Sequence, residues 1–133
     1  MTKEQKTLFE ILNTFWVLLK PYVKEEDVKT YKTIMSDNFK MLIKDRGEKF
    51  TDDWYKSTVE IIDYPEKYRN TKFVEFAAEL AMAITDFWTF EYRKTTENHI
   101  ATYYDFSTYI SKAFINEWER LRGNEEEITK KTT

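Results

Sequence analysis

Apolar residues recur along this chain at intervals of three and four, and long polar stretches are rare between them. That period places the apolar side chains on one face of a helix, whereas alternation by two would mark strands. Five segments carry it. The first runs from about Lys3 to Lys20, opened by the capping-box spacing of Thr2 and Gln5 and closed by Pro21. Leu8, Phe9, Ile11, Leu12, Phe15, Trp16, Leu18, Leu19 and Val23 cover about half of its wheel, the arc of an inner helix. The second, about Glu25 to Arg46, turns Val28, Tyr31, Ile34, Met35, Phe39, Met41 and Leu42 inward, with Asn38 among them, and Gly47 offers a left-handed cap.

Thr51 caps a third helix, with Asp52 and Asp53 in its first turn and Phe50 and Tyr55 at staple spacing. It stops before Pro65, which opens a short extra turn through Tyr68. Asn70 or Thr71 caps the fourth helix, about Lys72 to Lys94. Its apolar arc, including Phe76, Ala77, Leu80, Ala81, Ile84, Phe87 and Trp88, is as wide as that of the first. The fifth runs from about Glu97 to Arg122 and ends at Gly123, with Ile100, Tyr103, Tyr104, Ile110, Phe114, Ile115, Trp118 and Leu121 inward. Ser107 and Ser111 on that face allow close helix approach. The break near Thr95 and Thr96 carries no Gly or Pro to enforce it.

The expected fold is an all-α, compact single-domain bundle of about five helices over residues 1–123, followed by a charged, flexible tail over 124–133. The first and fourth helices are expected at its centre, with Trp16, Trp54, Trp88 and Trp118 converging on one core.

Composition sharpens this picture. Of 133 residues only two are Gly and two Pro, too few for the turns of a β-rich fold or for a phosphate-cradling loop. With no cysteine there is no disulfide or thiolate chemistry. The N-terminus lacks the apolar run of a signal peptide, and Phe15–Leu19 is too short to span a bilayer, so the cytoplasm is the expected location. Lys, Ile, Asn, Tyr and Phe are abundant, as in AT-rich coding of the kind found in low-GC bacteria and their phages. A net charge of −3 argues against nucleic-acid binding by bulk positive charge.

Candidate chemistry is sparse. Glu75, Glu79 and Asp86 form an acidic strip on the fourth helix, the kind of carboxylate edge that binds a metal in all-helical nucleotide hydrolases, with Glu10 and Glu117 as carboxylates that packing brings near. The paired Glu-x-x-Glu motifs of such enzymes are not met, and the strip equally serves as the solvated edge of a buried helix. His99, the single histidine, has no Glu three positions before it, and no serine has a base at triad spacing. Lys29, Lys32, Lys40 and Lys44 make a basic face on the second helix, diluted by Glu25, Glu26 and Asp37. Val17, Met82, Phe106 and Tyr109 fall outside the inner arcs. Such leftover apolar side chains are favoured in interface cores. The leading expectation is therefore a non-catalytic protein-binding or regulatory protein without a cofactor, of the kind a phage or mobile element uses to modulate a host protein, with another protein or a second copy of itself as partner. The alternative is a metal-dependent nucleotide hydrolase using the acidic strip.

Overall fold

A computed structural model of the chain describes residues 2–44, 50–88 and 99–132, with side chains from 103 to 123 in the last stretch. Within them stand five α-helices: α1 (Lys3–Leu19), α2 (Val28–Ile43), α3 (Asp52–Asp63), α4 (Val74–Phe87) and α5 (His99–Thr132). Short 3-10 turns at Lys20–Tyr22, Glu25–Asp27 and Tyr64–Tyr68 join or extend them. No strand occurs among the described residues, and the fold is an all-α bundle.

Local chemistry sets most boundaries. Thr2 accepts from the Gln5 backbone at 3.1 Å while the Gln5 side chain accepts from the Thr2 backbone at 3.0 Å, closing the capping box. Thr51 caps α3 through the Trp54 backbone. The staple differs from expectation. Phe50 sits at φ 70 and packs its ring at a tilt against Trp54, centroids 5.4 Å apart, instead of on Tyr55. Pro65 stands in the 3-10 turn as expected. Neither Asn70 nor Thr71 caps α4, which starts at Val74 after Phe73 with no side-chain cap; instead Asn70 adopts positive φ and the Thr71 hydroxyl accepts from the Phe73 backbone at 3.2 Å, shaping the turn ahead of the helix. The expected cap at Gly47 and the break at Thr95 and Thr96 lie outside the described residues.

One expected end is absent. The α5 backbone runs through Gly123 to Thr132, so Gly123 is an internal helical residue and not a cap. A Cβ there would meet nothing within 4 Å, so its smallness answers no packing need.

α4 is the hub. It packs against α2, α3, the Tyr64–Tyr68 turn and α5, and buries Phe76, Ala77, Leu80, Ala81, Ile84 and Phe87. Full burial of each large apolar side chain contributes about 1.5–3 kcal/mol. α1 is not its equal in the centre. It packs chiefly against α5, α2 and the turn that follows it, and leaves Phe9, Val17 and Leu18 exposed. The second central helix is α5, which buries Phe106, Ile110, Ala113, Phe114 and Glu117.

The four tryptophans share one core but at different depths. Trp16 and Trp88 are buried, while Trp54 and Trp118 pack on the core from its edge. The aromatic centre is instead a string running from Phe15 through Phe114 and Phe76 to Tyr31 and Trp16, with successive centroids 5.3–6.1 Å apart.

Candidate functional site

Two carboxylates of the acidic strip, Glu75 and Glu79, enter a part-buried ion-pair network whose one fully buried acid is Glu117. α4 and α5 run antiparallel in a register that sets Glu75 beside Arg120 and Glu79 beside Asn116. Arg120 donates from Nη1 to Glu79 at 2.8 Å and lies 3.3 Å from Glu75, and its Nε donates to Glu117 at 2.6 Å. Asn116 donates to the second Glu79 oxygen at 2.9 Å. The Tyr31 hydroxyl of α2 donates to the other oxygen of Glu117. Glu117, 1% exposed, therefore has both oxygens occupied by donors, as a buried carboxylate requires.

The electrostatics follow from these contacts. Burial first, then the hydrogen bond and charge of Glu117, push the Tyr31 hydroxyl well above the ordinary tyrosine range. Burial opposes the charge of Arg120, but Glu79 and Glu117 more than offset it and hold the guanidinium firmly protonated. A second buried phenol, Tyr64, donates to Asp37 at 2.8 Å. Burial chiefly, then Tyr68 and Asp37, raise it as well.

In this arrangement two carboxylates of the strip face a cation of the chain itself. Glu75 and Glu79 are directed at Arg120, Asp86 joins neither, and Glu10 stays exposed on α1. Among the described residues no three His, Cys, Asp or Glu side chains are grouped to hold a metal ion. The network ties three helices together and has no nucleophile poised against a base. Sequence reasoning brought Glu117 near the strip but missed Arg120, the cation that joins them. Glu117 lies within the stripe defined by Phe106, Ile110, Ala113 and Phe114, and Arg120 follows one turn later. A charge inside an apolar stripe with a counter-ion at i+3 was the available signal.

The four leftover apolar residues have three different fates. Phe106 is 0% exposed and meets Phe87 edge-on at 5.1 Å, so it belongs to the core and not to a surface. The inward phase of α5 is turned from the one expected, leaving Tyr104 and Ile115 exposed. Ser107 and Ser111 are only partly buried, and it is Ala113 that stands at the close approach. Val17 is exposed on the outer side of α1. Met82 and Tyr109 come together on a groove of about 450 Å³ between α4 and α5, with Met82 64% exposed and Tyr109 half-buried against Phe87.

A second groove, of about 300 Å³, lies between α1 and α5. Phe15, Leu18, Leu19, Tyr22, Phe114, Ile115 and Trp118 line it, all of them apolar or aromatic. Leu18 is 65% and Ile115 51% exposed. Tyr22 meets Trp118 edge-on at 5.9 Å, and the Arg122 guanidinium covers the Trp118 ring at 4.4 Å. Both Leu18 and Ile115 were assigned to inner faces by periodicity, which is why this groove was not foreseen.

The basic face is real but mixed. Lys29, Lys32 and Lys40 border an open depression of about 730 Å³ that also takes in Glu25 and Asp37, while Lys44 is paired with Glu60 at 2.9 Å. Asn38 is fully buried. Its Nδ2 donates to the Ile34 carbonyl at 2.8 Å and its Oδ1 has no partner among the described residues, so it bonds within α2 instead of across to a neighbour. Among the described residues no helix is long and apolar enough to cross a membrane. Compared with protein-family models, with curated proteins and with solved structures, this chain matches none.

Proposed function

We propose that the protein is a small non-catalytic binding protein that regulates or inhibits another protein, and that its partner docks in the apolar groove between α1 and α5. The observation that carries this is the lining of that groove. Seven apolar side chains, four of them aromatic, stand together with Leu18 and Ile115 more than half exposed. Tyr and Trp, which dominate interface hot spots, flank the groove as Tyr22 and Trp118. A channel between two helices suits an amphipathic partner helix that lays its apolar ridge between them. The basic depression on α2 is the weaker alternative, because Glu25 and Asp37 break its field.

The test compares stoichiometric partner capture from the native cell by the unaltered chain, by Leu18→Glu with Ile115→Glu, and by Val17→Glu, a change on the exposed outer side of the same helix. Charging the groove is expected to weaken capture at least about thirty-fold, the scale of one hot spot. Val17→Glu is expected to leave it intact. Retention of the partner by the doubly charged groove would dismiss the reading.

A further inference from the structure

The groove between α4 and α5 lies on a different face of α5 and has a property the first lacks: it carries each feature together with its complement. Met82 projects from one wall, while Ala78, Ala83 and Ala113 leave space beside it. Asp86 stands on the α4 wall and Lys112 on the α5 wall. The two do not pair with each other, and neither has an ion pair or side-chain hydrogen bond among the described residues. The other acid on this groove, Glu79, is already held by Arg120 and Asn116.

We infer that this groove is the contact between two copies of the chain, related by a two-fold axis running along it. A two-fold contact requires one patch to be its own complement. An axis parallel to the helices keeps every residue at its own height and exchanges the walls, so α4 of one copy lies over α5 of the partner. The observed register, Glu75 with Arg120 and Glu79 with Asn116, continues to Ala83 beside Lys112 and Asp86 beside Tyr109. Asp86 then lies within one helical turn of Lys112 of the partner subunit, about 4.5 Å along the axis and inside the reach of a lysine. The symmetry makes this ion pair twice. Met82 of each copy enters the space left by the partner's alanines, and the four helices stack as a bundle. A partner of other chemistry would need only one of these complements, whereas a second copy supplies all of them.

The experiment measures mass by sedimentation equilibrium over a dilution series. The unaltered chain is expected to be a dimer that dissociates on dilution. Asp86→Lys alone, or Lys112→Glu alone, sets like charges across the axis twice and is expected to weaken the dimer at least about ten-fold. The two single variants, mixed, are expected to form a heterodimer, because each then meets its opposite at both contacts. Circular dichroism of the variants should match the unaltered chain, since both positions lie on the surface of the groove. A monomer at all concentrations, a dimer indifferent to both reversals, or a mixture that fails to associate would each overturn the inference. None of these results touches the α1–α5 groove, which the charged variants of Leu18 and Ile115 test separately.

Discussion

α1 and α4 have apolar arcs of similar width and opposite fates. α4 is enclosed by α2, α3, the Tyr64–Tyr68 turn and α5, so its arc disappears into the core. α1 has mainly α2 and α5 beside it, so the same arc ends in Phe9 and Leu18 at the surface, next to Val17 outside it. Arc width states how much apolar surface a helix offers. The number of neighbours decides how much of it is covered, and the remainder on α1 is the material of the proposed partner groove. The polar edges differ as well. The Glu75 and Glu79 edge of α4 is tied down by Arg120, whereas the described network includes no side chain of α1.

The largest test of this contrast is a pair of truncations. Phe76→Ala in α4 is expected to cost about 3–5 kcal/mol in urea unfolding, whereas Leu18→Ala in α1 should stay within about 0.5 kcal/mol. Equal losses would erase the distinction. Next comes the network that anchors the α4 edge. Glu117→Ala strands the buried Tyr31 hydroxyl and removes the closest partner of Arg120, with an expected loss of about 3 kcal/mol, while Tyr31→Phe removes one hydrogen bond to a buried carboxylate and should cost about 1.5–3 kcal/mol. If both were neutral, packing alone would hold α2, α4 and α5 together. The smallest effect is the alkaline limb. Tyr31 and Tyr64 have native pKa values raised above those of the unfolded chain, so their contribution is complete below about pH 10 and falls as pH rises beyond it, where unfolded tyrosine loses its proton and the native phenols keep theirs. Thermal unfolding from pH 9 to 11 should show a steeper loss for the unaltered chain than for Tyr31→Phe. Identical slopes would remove Tyr31 from that account.

Much of the fold was legible in advance, and the legible part was local. The Thr2–Gln5 box, the Thr51 cap and the Pro65 turn involve groups within four residues of one another, so the chain specifies them wherever the helices finally pack. The candidate surfaces were legible only in part. Met82 was identified as leftover apolar surface and is exposed on a groove. Phe106 was misassigned because an arc on α5 spanning Tyr103, Tyr104, Ile110, Phe114 and Ile115 admits more than one inward phase. The chosen phase buries Phe106 and releases Tyr104 and Ile115, and no interaction within one helix distinguishes the two.

By itself, then, the sequence determined that this protein is helical, where most of its described helices start and stop, and that its apolar residues exceed what one face of each helix needs. Helix periodicity, capping and the scarcity of Gly, Pro and Cys are sufficient for that. Only the tertiary structure decided that Glu117 is buried against Tyr31 and Arg120, that the acidic strip serves an arginine, and that Leu18 and Ile115 share a groove. Apart from Glu117 with Arg120, three positions apart on one helix, those outcomes depend on contacts between residues 37 to 97 positions apart, between helices whose neighbours the local pattern does not name.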